Sequence, residues 1–461
     1  MSGEYRIERD SLGEIKVPAG VYWGAQSQRA MENFAIGSLK FHEILIQSLA
    51  VIKYAAAVAN EELGLLKKDA ASAIRQACTE IIEGKHKGQF TLSIFQTGSG
   101  TSTNMNVNEV VATRANEILG GKRITTAPVH PNDHVNMGQS SNDTFPSAIR
   151  MAAYIELQSE FLPALKHLHD AVSVKQQEYK DVIKTGRTHL MDAVPITFGQ
   201  EMSGWAAQIL LGISRIEKTL PGLAQLPLGG TAVGTGMNTH RRFPEKAIRV
   251  INEMTGIQFR RPLNNFEAQA SMDIASELSG QLKTIAAGVM KISNDLRLMN
   301  SGPYAGFAEI RLPAVQPGSS IMPGKINPVV PEAARMVCAR IMGNDTTITV
   351  SCSLGEFELN AMLPIIGYCL LESIEIFSHA LRALADKAIQ GMVVNTAGVQ
   401  EALEKNPIIA TALVPVLGYE KTAEIIKKAL QEGKKIKEAL RESGLLSEEE
   451  INARLDLKKM V

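Results

Sequence analysis

Between positions 265 and 300 the chain has no proline, and apolar residues recur at Ile274, Leu278, Leu282, Ile285, Val289, Ile292 and Leu296. Steps of four and three put all seven on one face of an α-helix. About 35 helical residues extend roughly 50 Å. A helix of that length needs a bundle or coiled-coil-like partner along its stripe. Comparable patterns cover residues 145–179, with Pro163 as a candidate kink, and 196–220, 331–349 and 363–389. Shorter helical patterns occupy 45–63 and 68–83. Long helices with Gly-, Pro- and Thr-rich polar loops at their ends predict an up-and-down bundle with functional loops at its tips. Ala206, Ala207, Gly212, Ala286, Ala287 and Gly288 let helices approach closely. The scarcity of polar surface predicts burial on more than one side, and so an oligomer built around the bundle.

Residues 1–138 are expected to form a mixed, mainly helical N-terminal domain. Residues 139–395 would form the central long-helix domain, and 396–461 a small helical C-terminal domain in which 421–440 is a solvated amphipathic helix. The chain shows no fixed-period repeat and no low-complexity tract. Lys+Arg and Asp+Glu number 48 each. No global field therefore favours nucleic acid or an anionic membrane. Residues 1–18 are mixed in charge without an apolar core, which does not fit a signal peptide. No uninterrupted apolar stretch reaches the roughly 20 residues that span a bilayer. A cytoplasmic location is expected. Cys78, Cys338, Cys352 and Cys369 lie far apart with no C-x-x-C spacing, the pattern of reduced, mostly buried thiols rather than of a metal site or disulfides.

The chemistry concentrates in a few polar segments. Pro317-Gly318-Ser319-Ser320-Ile321-Met322-Pro323-Gly324-Lys325-Ile326-Asn327-Pro328 cannot be regular helix, because each proline removes a donor and restricts the residue before it. Its apolar members argue against disorder. It reads as an ordered loop whose N–H groups, hydroxyls and ammonium face an anion. In Gln96-Thr97-Gly98-Ser99-Gly100-Thr101 the glycines would let the backbone approach a ligand and the hydroxyls would supply donors. The Gly-Lys-Ser/Thr ending of a nucleotide-phosphate loop is missing. His130-Pro131-Asn132-Asp133-His134 holds metal-ligand types, but not at a standard zinc spacing. Gln139-Ser140-Ser141-Asn142-Asp143 precedes an apolar helix; it reads as an N-cap, and a helix N-terminus also binds carboxylates. Gly186-Arg187-Thr188-His189 is read as part of a loop joining two long helices. The glycine-rich run 229–236 lacks the strand context of a dinucleotide site. Glu332, at the start of a helix, either satisfies the helix dipole or orients a histidine.

Together these segments resemble the fumarase/aspartase superfamily. Its most specific mark, Gly-Ser-Ser-x-Met-Pro-x-Lys-x-Asn, stands complete from Gly318 to Asn327. The resemblance covers nearly the whole chain. It includes Gly186-Arg187-Thr188-His189, Gly229-Gly230-Thr231-Ala232-Val233-Gly234-Thr235-Gly236, Ser301-Gly302-Pro303 and Glu358-Leu359-Asn360. Within the superfamily the chain is most similar to class II fumarases, by Gln96 to Thr101, His130 to Asp133 and Ser140 to Asn142. Val329-Val330-Pro331-Glu332 is a form common in aspartases, so aspartate ammonia-lyase is the alternative, with a non-catalytic scaffold a third.

The resemblance implies an all-α, three-domain protomer with a central long-helix bundle. It implies a homotetramer whose active sites each draw on three subunits, and a small dicarboxylate substrate. It assigns Ser319 as base, His189 paired with Glu332 as the proton donor to the leaving group, and Lys325 as an electrostatic partner. Ser99, Gly100, Thr101, Ser140, Ser141, Asn142, Thr188, Ser320, Ile326 and Asn327 would bind substrate. His130, Pro131, Asn132 and Asp133 would form a second dicarboxylate site. No metal or organic cofactor is implied.

Overall fold

The computed structural model describes residues 4–121 and 123–461; residues 1–3, at the head of the stretch read for a signal peptide, and residue 122 lie outside the described residues. Antiparallel strands β1 (Tyr5–Asp10) and β2 (Gly13–Pro18) open the chain. Helices α1 (Ala25–Asn33), α2 (Glu43–Glu62), α3 (Lys68–Ile82), α4 (Thr101–Ile118), α5 (Ser141–Glu156) and α6 (Leu162–Glu178) follow. A second antiparallel pair, β3 (Ile183–Thr188) and β4 (Met191–Thr197), leads into α7 (Phe198–Leu223). Next come α8 (Phe243–Thr255), α9 (Asn265–Ala270), α10 (Asp273–Met299), α11 (Val329–Cys352) and α12 (Leu363–Leu384), and then short C-terminal helices. Every described sheet has only two strands, so the fold is all-α, as the helical periodicity predicts. Contacts divide the chain into two compact units. The first holds residues up to 162, 214–284 and 340–377; the second holds 163–213, 285–339 and 378–461.

In the first unit α2 is the central element. It buries Leu45, Leu49, Ile52, Ala55, Ala56 and Ala59 and packs against α3, α5 and α8. By length and hydropathy α2 alone among the described residues qualifies to cross a bilayer, yet most of it is buried in this unit. Leu49 and Ile52 are fully enclosed, and each such side chain contributes about 1.5–3 kcal/mol by leaving water. The N-terminus of α1 has no cap of its own. Glu109 of α4 supplies one by accepting from the N–H groups of Gly24, Gln26 and Ser27 at 2.8–3.1 Å.

In the second unit Leu165 and Leu168 of α6, Phe198, Trp205 and Ile209 of α7, and Ile285, Val289, Ile292 and Leu296 of α10 form the core. A C-terminal cluster that includes Leu403, Ile409, Leu413, Ile425, Ile436, Leu440 and Ile451 takes Ile183 of β3 against it.

Two local readings of the sequence need correction. The 265–300 helix is broken: Ser271 is extended and its hydroxyl accepts from the N–H of Asp273 at 3.2 Å. A capping serine thus offers the backbone an alternative to continuing the helix. Pro163, the candidate kink, sits at the start of α6. One π-helical turn, Leu157–Phe161, precedes it, and that widening relieves the clash of the ring with the preceding turn. Residues 186–193 form a hairpin rather than a helix-to-helix loop, with Thr188 opposite Met191. All four cysteines are free, three of them buried and Cys352 half-buried.

Glu80 anchors α3 to α4. Its carboxylate accepts from Arg114 at 2.7 and 2.9 Å, and His86 lies 2.9 Å away. The Arg114 bonds hold its pKa down at about 2, against 4.5 for a free glutamate. A depressed carboxylate stabilises the fold above its unfolded pKa and loses that contribution as pH falls through the folded one. In thermal melts, the deficit of Glu80→Gln relative to wild type is expected to shrink as pH drops from 4.5 towards 2. A deficit independent of pH would contradict this.

Candidate active site

The first unit assembles three polar segments around two helix N-termini. At α4, Gln96 and Thr97 do the capping: Gln96 Oε1 accepts from the N–H of Thr103 at 2.9 Å and Thr97 Oγ1 from that of Ser102 at 3.0 Å. The hydroxyls of Ser99 and Thr101 are left to each other at 2.8 Å, both partly exposed. Gly100 sits between them at φ +74°, and a Cβ there would lie 2.4 Å from the Phe145 ring. Packing and backbone geometry by themselves already require this glycine.

At α5, Ser140 and Asp143 form a capping box. Ser140 Oγ accepts from the N–H of Asn142 at 3.2 Å. Asn104 of α4 donates to Ser141 Oγ at 3.1 Å, which joins the two helix starts. Asn142 donates to the Ala232 carbonyl at 2.9 Å. Asp143 is fully buried. It accepts from the N–H groups of Ser140, Gly229 and Thr231 and from the Thr144 hydroxyl, all at 2.8–3.0 Å. The carboxylate thus pins the glycine-rich 229–232 segment beside Ser140–Asn142. Burial outweighs these four donors and pushes its pKa up to about 6. Beneath the turn, the buried Lys53 ammonium donates to Asn136 Oδ1 and Gln139 Oε1, each at 2.9 Å.

His130–Asp133 lies elsewhere in the same unit. The His130 ring accepts from the N–H groups of Asn132 and Asp133 at 3.3 and 3.2 Å, capping the short turn that Pro131 begins. His130, Pro131 and Asn132 line a cavity of about 290 Å³ with Arg9, Gln26 and the carboxyl-bearing Glu8, Asp10 and Glu109, and Asp133 is not part of its lining. Among the described residues no group of three His, Cys, Asp or Glu is placed to hold a metal ion.

The second unit carries the remaining candidates. His189 and Leu190 form the hairpin tip, both left-handed at φ +56° and +60°. This is the geometry of a two-residue turn that normally selects Asn-Gly. Thr188 and His189 are exposed. A charged network fixes the hairpin from below. Buried Lys184 donates to Glu201 at 2.9 Å and to Glu309 at 2.8 Å, and Arg187 donates to Glu309 at 2.6 Å. Burial raises the Glu309 pKa, but the Arg187 bond and the Lys184 charge outweigh it, so the net shift is downward.

In the serine loop, a Cβ on Gly318 would come within 2.1 Å of the Lys325 carbonyl oxygen. The two ends of the loop are in direct backbone contact there. Asn327 donates to the Gly318 carbonyl at 2.5 Å and accepts from the Lys325 ammonium at 2.7 Å. Ser319 Oγ accepts two backbone N–H groups, from Ile321 at 3.2 Å and Met322 at 2.9 Å. Ser320, Lys325 and Ile326 face solvent. Glu332 lies in the first turn of α11, and no hydrogen bond joins it to His189 within the chain. The structure thus brings Ser99, Thr101 and Ser140–Asn142 together in one unit and Ser319, Lys325 and Asn327 together in the other.

Sequence reasoning missed the charges beneath these loops. Glu309 gave no local signal, since its partners are more than 100 positions away. Lys53 did give one, as a lone lysine within an apolar helix.

Replacing Glu309 with alanine leaves Lys184 to Glu201 alone and releases Arg187. Breaking a buried pair from one side costs about 3 kcal/mol or more. Denaturant unfolding of Glu309→Ala is expected to show that loss; less than about 1 kcal/mol would contradict the account.

The chain matches known proteins over nearly its whole length. A family model described as Lyase matches residues 13–343, and one described as the fumarase C C-terminus matches 409–461. The chain is 50% identical over 455 residues to a class II fumarate hydratase from Xylella fastidiosa, covering 99% of this chain and 95% of that protein. It is 50% identical to one from Thermus thermophilus, covering 97% of each. Among solved structures, a class II fumarase from Schistosoma mansoni superposes with a TM-score of 0.97 at 40% identity, covering 99% of both chains. A fumarate lyase:delta crystallin from Brucella melitensis superposes at 0.95 and 42%, again covering 99% of both. The chain belongs to the class II fumarate hydratase family.

Proposed function

We propose that this hydro-lyase interconverts (S)-malate and fumarate by anti elimination, with Ser319 as the base. The observation that carries the assignment is the pair of N–H groups, from Ile321 and Met322, aimed at Ser319 Oγ. A serine hydroxyl is far too weak an acid to act as an alkoxide unaided. Two fixed donors favour the ionised form, by the logic of an oxyanion hole. Ser319 takes the C3 proton, and the electron pair moves into the adjacent carboxylate to give an aci-carboxylate dianion. Lys325, Asn327 and Thr188 meet the extra charge. The C2–O bond then breaks, and His189, oriented by Glu332, delivers the proton that lets the hydroxyl leave as water. Ser99, Gly100, Thr101, Ser140, Ser141 and Asn142 hold the carboxylates, with Ser320 and Ile326 completing the contacts. Every step is assigned to groups of the protein itself.

The reading includes a homotetramer in the cytoplasm, with three subunits contributing to each site and three domains spanning 1–138, 139–395 and 396–461. Exposed Leu210 and Leu211 on α7 and Met336 and Val350 on α11 support subunit packing along the long helices. The polar cluster of the first unit presents hydroxyls and amides, while its acid and base, Asp143 and Lys53, are buried. That fits a site completed by other copies. The segment His130–Asp133 is proposed as a second dicarboxylate site.

Fumarate formation from malate and from aspartate separates hydration from deamination. Activity on malate is expected; activity on aspartate alone would overturn the reading. Ser319→Ala should lower turnover about a thousandfold without changing the oligomer, and unchanged turnover would remove Ser319 as base.

A further inference from the structure

The structure points to Lys53 as a positioning residue of the substrate-carboxylate site: its ammonium, held on Asn136 and Gln139, sets the Ser140–Asn142 turn and places a positive charge behind it. The inference rests on the reading that this turn holds a substrate carboxylate.

Lys53 is 0% exposed, on a helix face otherwise buried among Leu49, Ile52 and Ala56. It makes no hydrogen bond to a carboxylate. Its two acceptors are neutral amide oxygens, Asn136 Oδ1 and Gln139 Oε1, each at 2.9 Å. Both lie in the segment that delivers Ser140. Gln139 is its chain neighbour, and Asn136 donates to the Gln139 carbonyl at 3.2 Å. Asn136 Oδ1 also takes N–H groups from Asn104 and Asn108, each at 3.2 Å. Asn104 in turn donates to Ser141 Oγ. Two routes therefore run from the ammonium to the turn, one through Gln139 to Ser140 and one through Asn136 and Asn104 to Ser141. Two turns further along α2, Asn60 holds the Met137 carbonyl at 3.1 Å, so this helix fixes the segment at two points.

Hydrogen bonds to two neutral amides do not by themselves call for a charged donor here. The hydrogen-bond acceptors of this enclosed ammonium are neutral, and the charge of nearby Asp143 offsets only part of its desolvation. Burial pulls its pKa down to about 7 against the opposing pull of Asp143. Methionine would fill the same length without that cost. A charge held at a net desolvation cost behind a cluster of hydroxyls and N–H groups is suited to serve an anionic ligand.

Lys53→Met in the full-length protein is the test. It is expected to fold and to keep the wild-type oligomer, with a lowered melting temperature because Gln139 Oε1 loses its donor. The KM for malate should rise about tenfold while kcat stays within about threefold, the signature of lost binding rather than lost chemistry. The dissociation constant of succinate, a dicarboxylate that cannot react, should rise by the same factor. A folded Lys53→Met with unchanged KM and unchanged succinate affinity overturns the proposal, as does one whose loss falls on kcat alone. Should Lys53→Met fail to fold, Gln139→Glu decides. It sets a carboxylate on the ammonium and cancels its charge in place, so the same rise in KM is expected, and an unchanged KM refutes the role. Asn142→Ala separates the two levels of the argument. If it raises KM while the Lys53 variant does not, only the role of Lys53 falls. If neither raises KM, the placement of the carboxylate falls as well.

Discussion

The apolar stripe of Asp273–Met299 is the constraint on which the other long elements depend. Leu278 and Leu282 are enclosed in the first unit, and Ile285, Val289, Ile292 and Leu296 in the second. A helix buried along its length cannot carry loops or ligands on that stripe. Chemistry is left to its ends and to the ends of its neighbours. Ser99, Thr101 and Ser140–Asn142 stand at helix N-termini, His189 on a hairpin that runs into a long helix, and Ser319 on the loop that leads into Val329–Cys352. N-termini present unpaired N–H groups and a positive dipole end, which suits a dicarboxylate.

Buried charge recurs under these loops. Asp143 gathers four donors beneath one turn, with Lys53 held beside it on two amides. Lys184 and Glu309 lie under the hairpin that carries His189. In each case a side chain that costs desolvation fixes the backbone of a segment whose exposed groups meet the ligand. The left-handed His189–Leu190 tip shows why such support is needed. A non-glycine residue at positive φ costs roughly 1 kcal/mol, and rigid surroundings must hold it there.

The helices and the motif loops were legible because their signals are local. Proline-free four-and-three periodicity marks the long helices, and Gly-Ser-Ser-x-Met-Pro-x-Lys-x-Asn marks the serine loop. Where the sequence misled, a nearby feature overrode the pattern. Ser271 capped a new start within an unbroken apolar stripe. The His189 hairpin was hidden because its turn uses His-Leu where Asn-Gly would have announced it. Glu309 was illegible as a site residue because its partners lie more than 100 positions away; Lys53 showed as a lone lysine in an apolar helix, but nothing local named its partners some 80 positions on.

The central claim is that the serine loop and the histidine hairpin act in a site assembled from different copies of the chain. Co-expression of His189→Asn and Ser319→Ala chains, each nearly inactive alone, tests it most directly. With random assembly, about a quarter of the sites in mixed oligomers receive an intact histidine from one subunit and an intact serine from another. Mixed oligomers should therefore recover about a quarter of wild-type turnover. Mixed oligomers no more active than either parent would contradict the account.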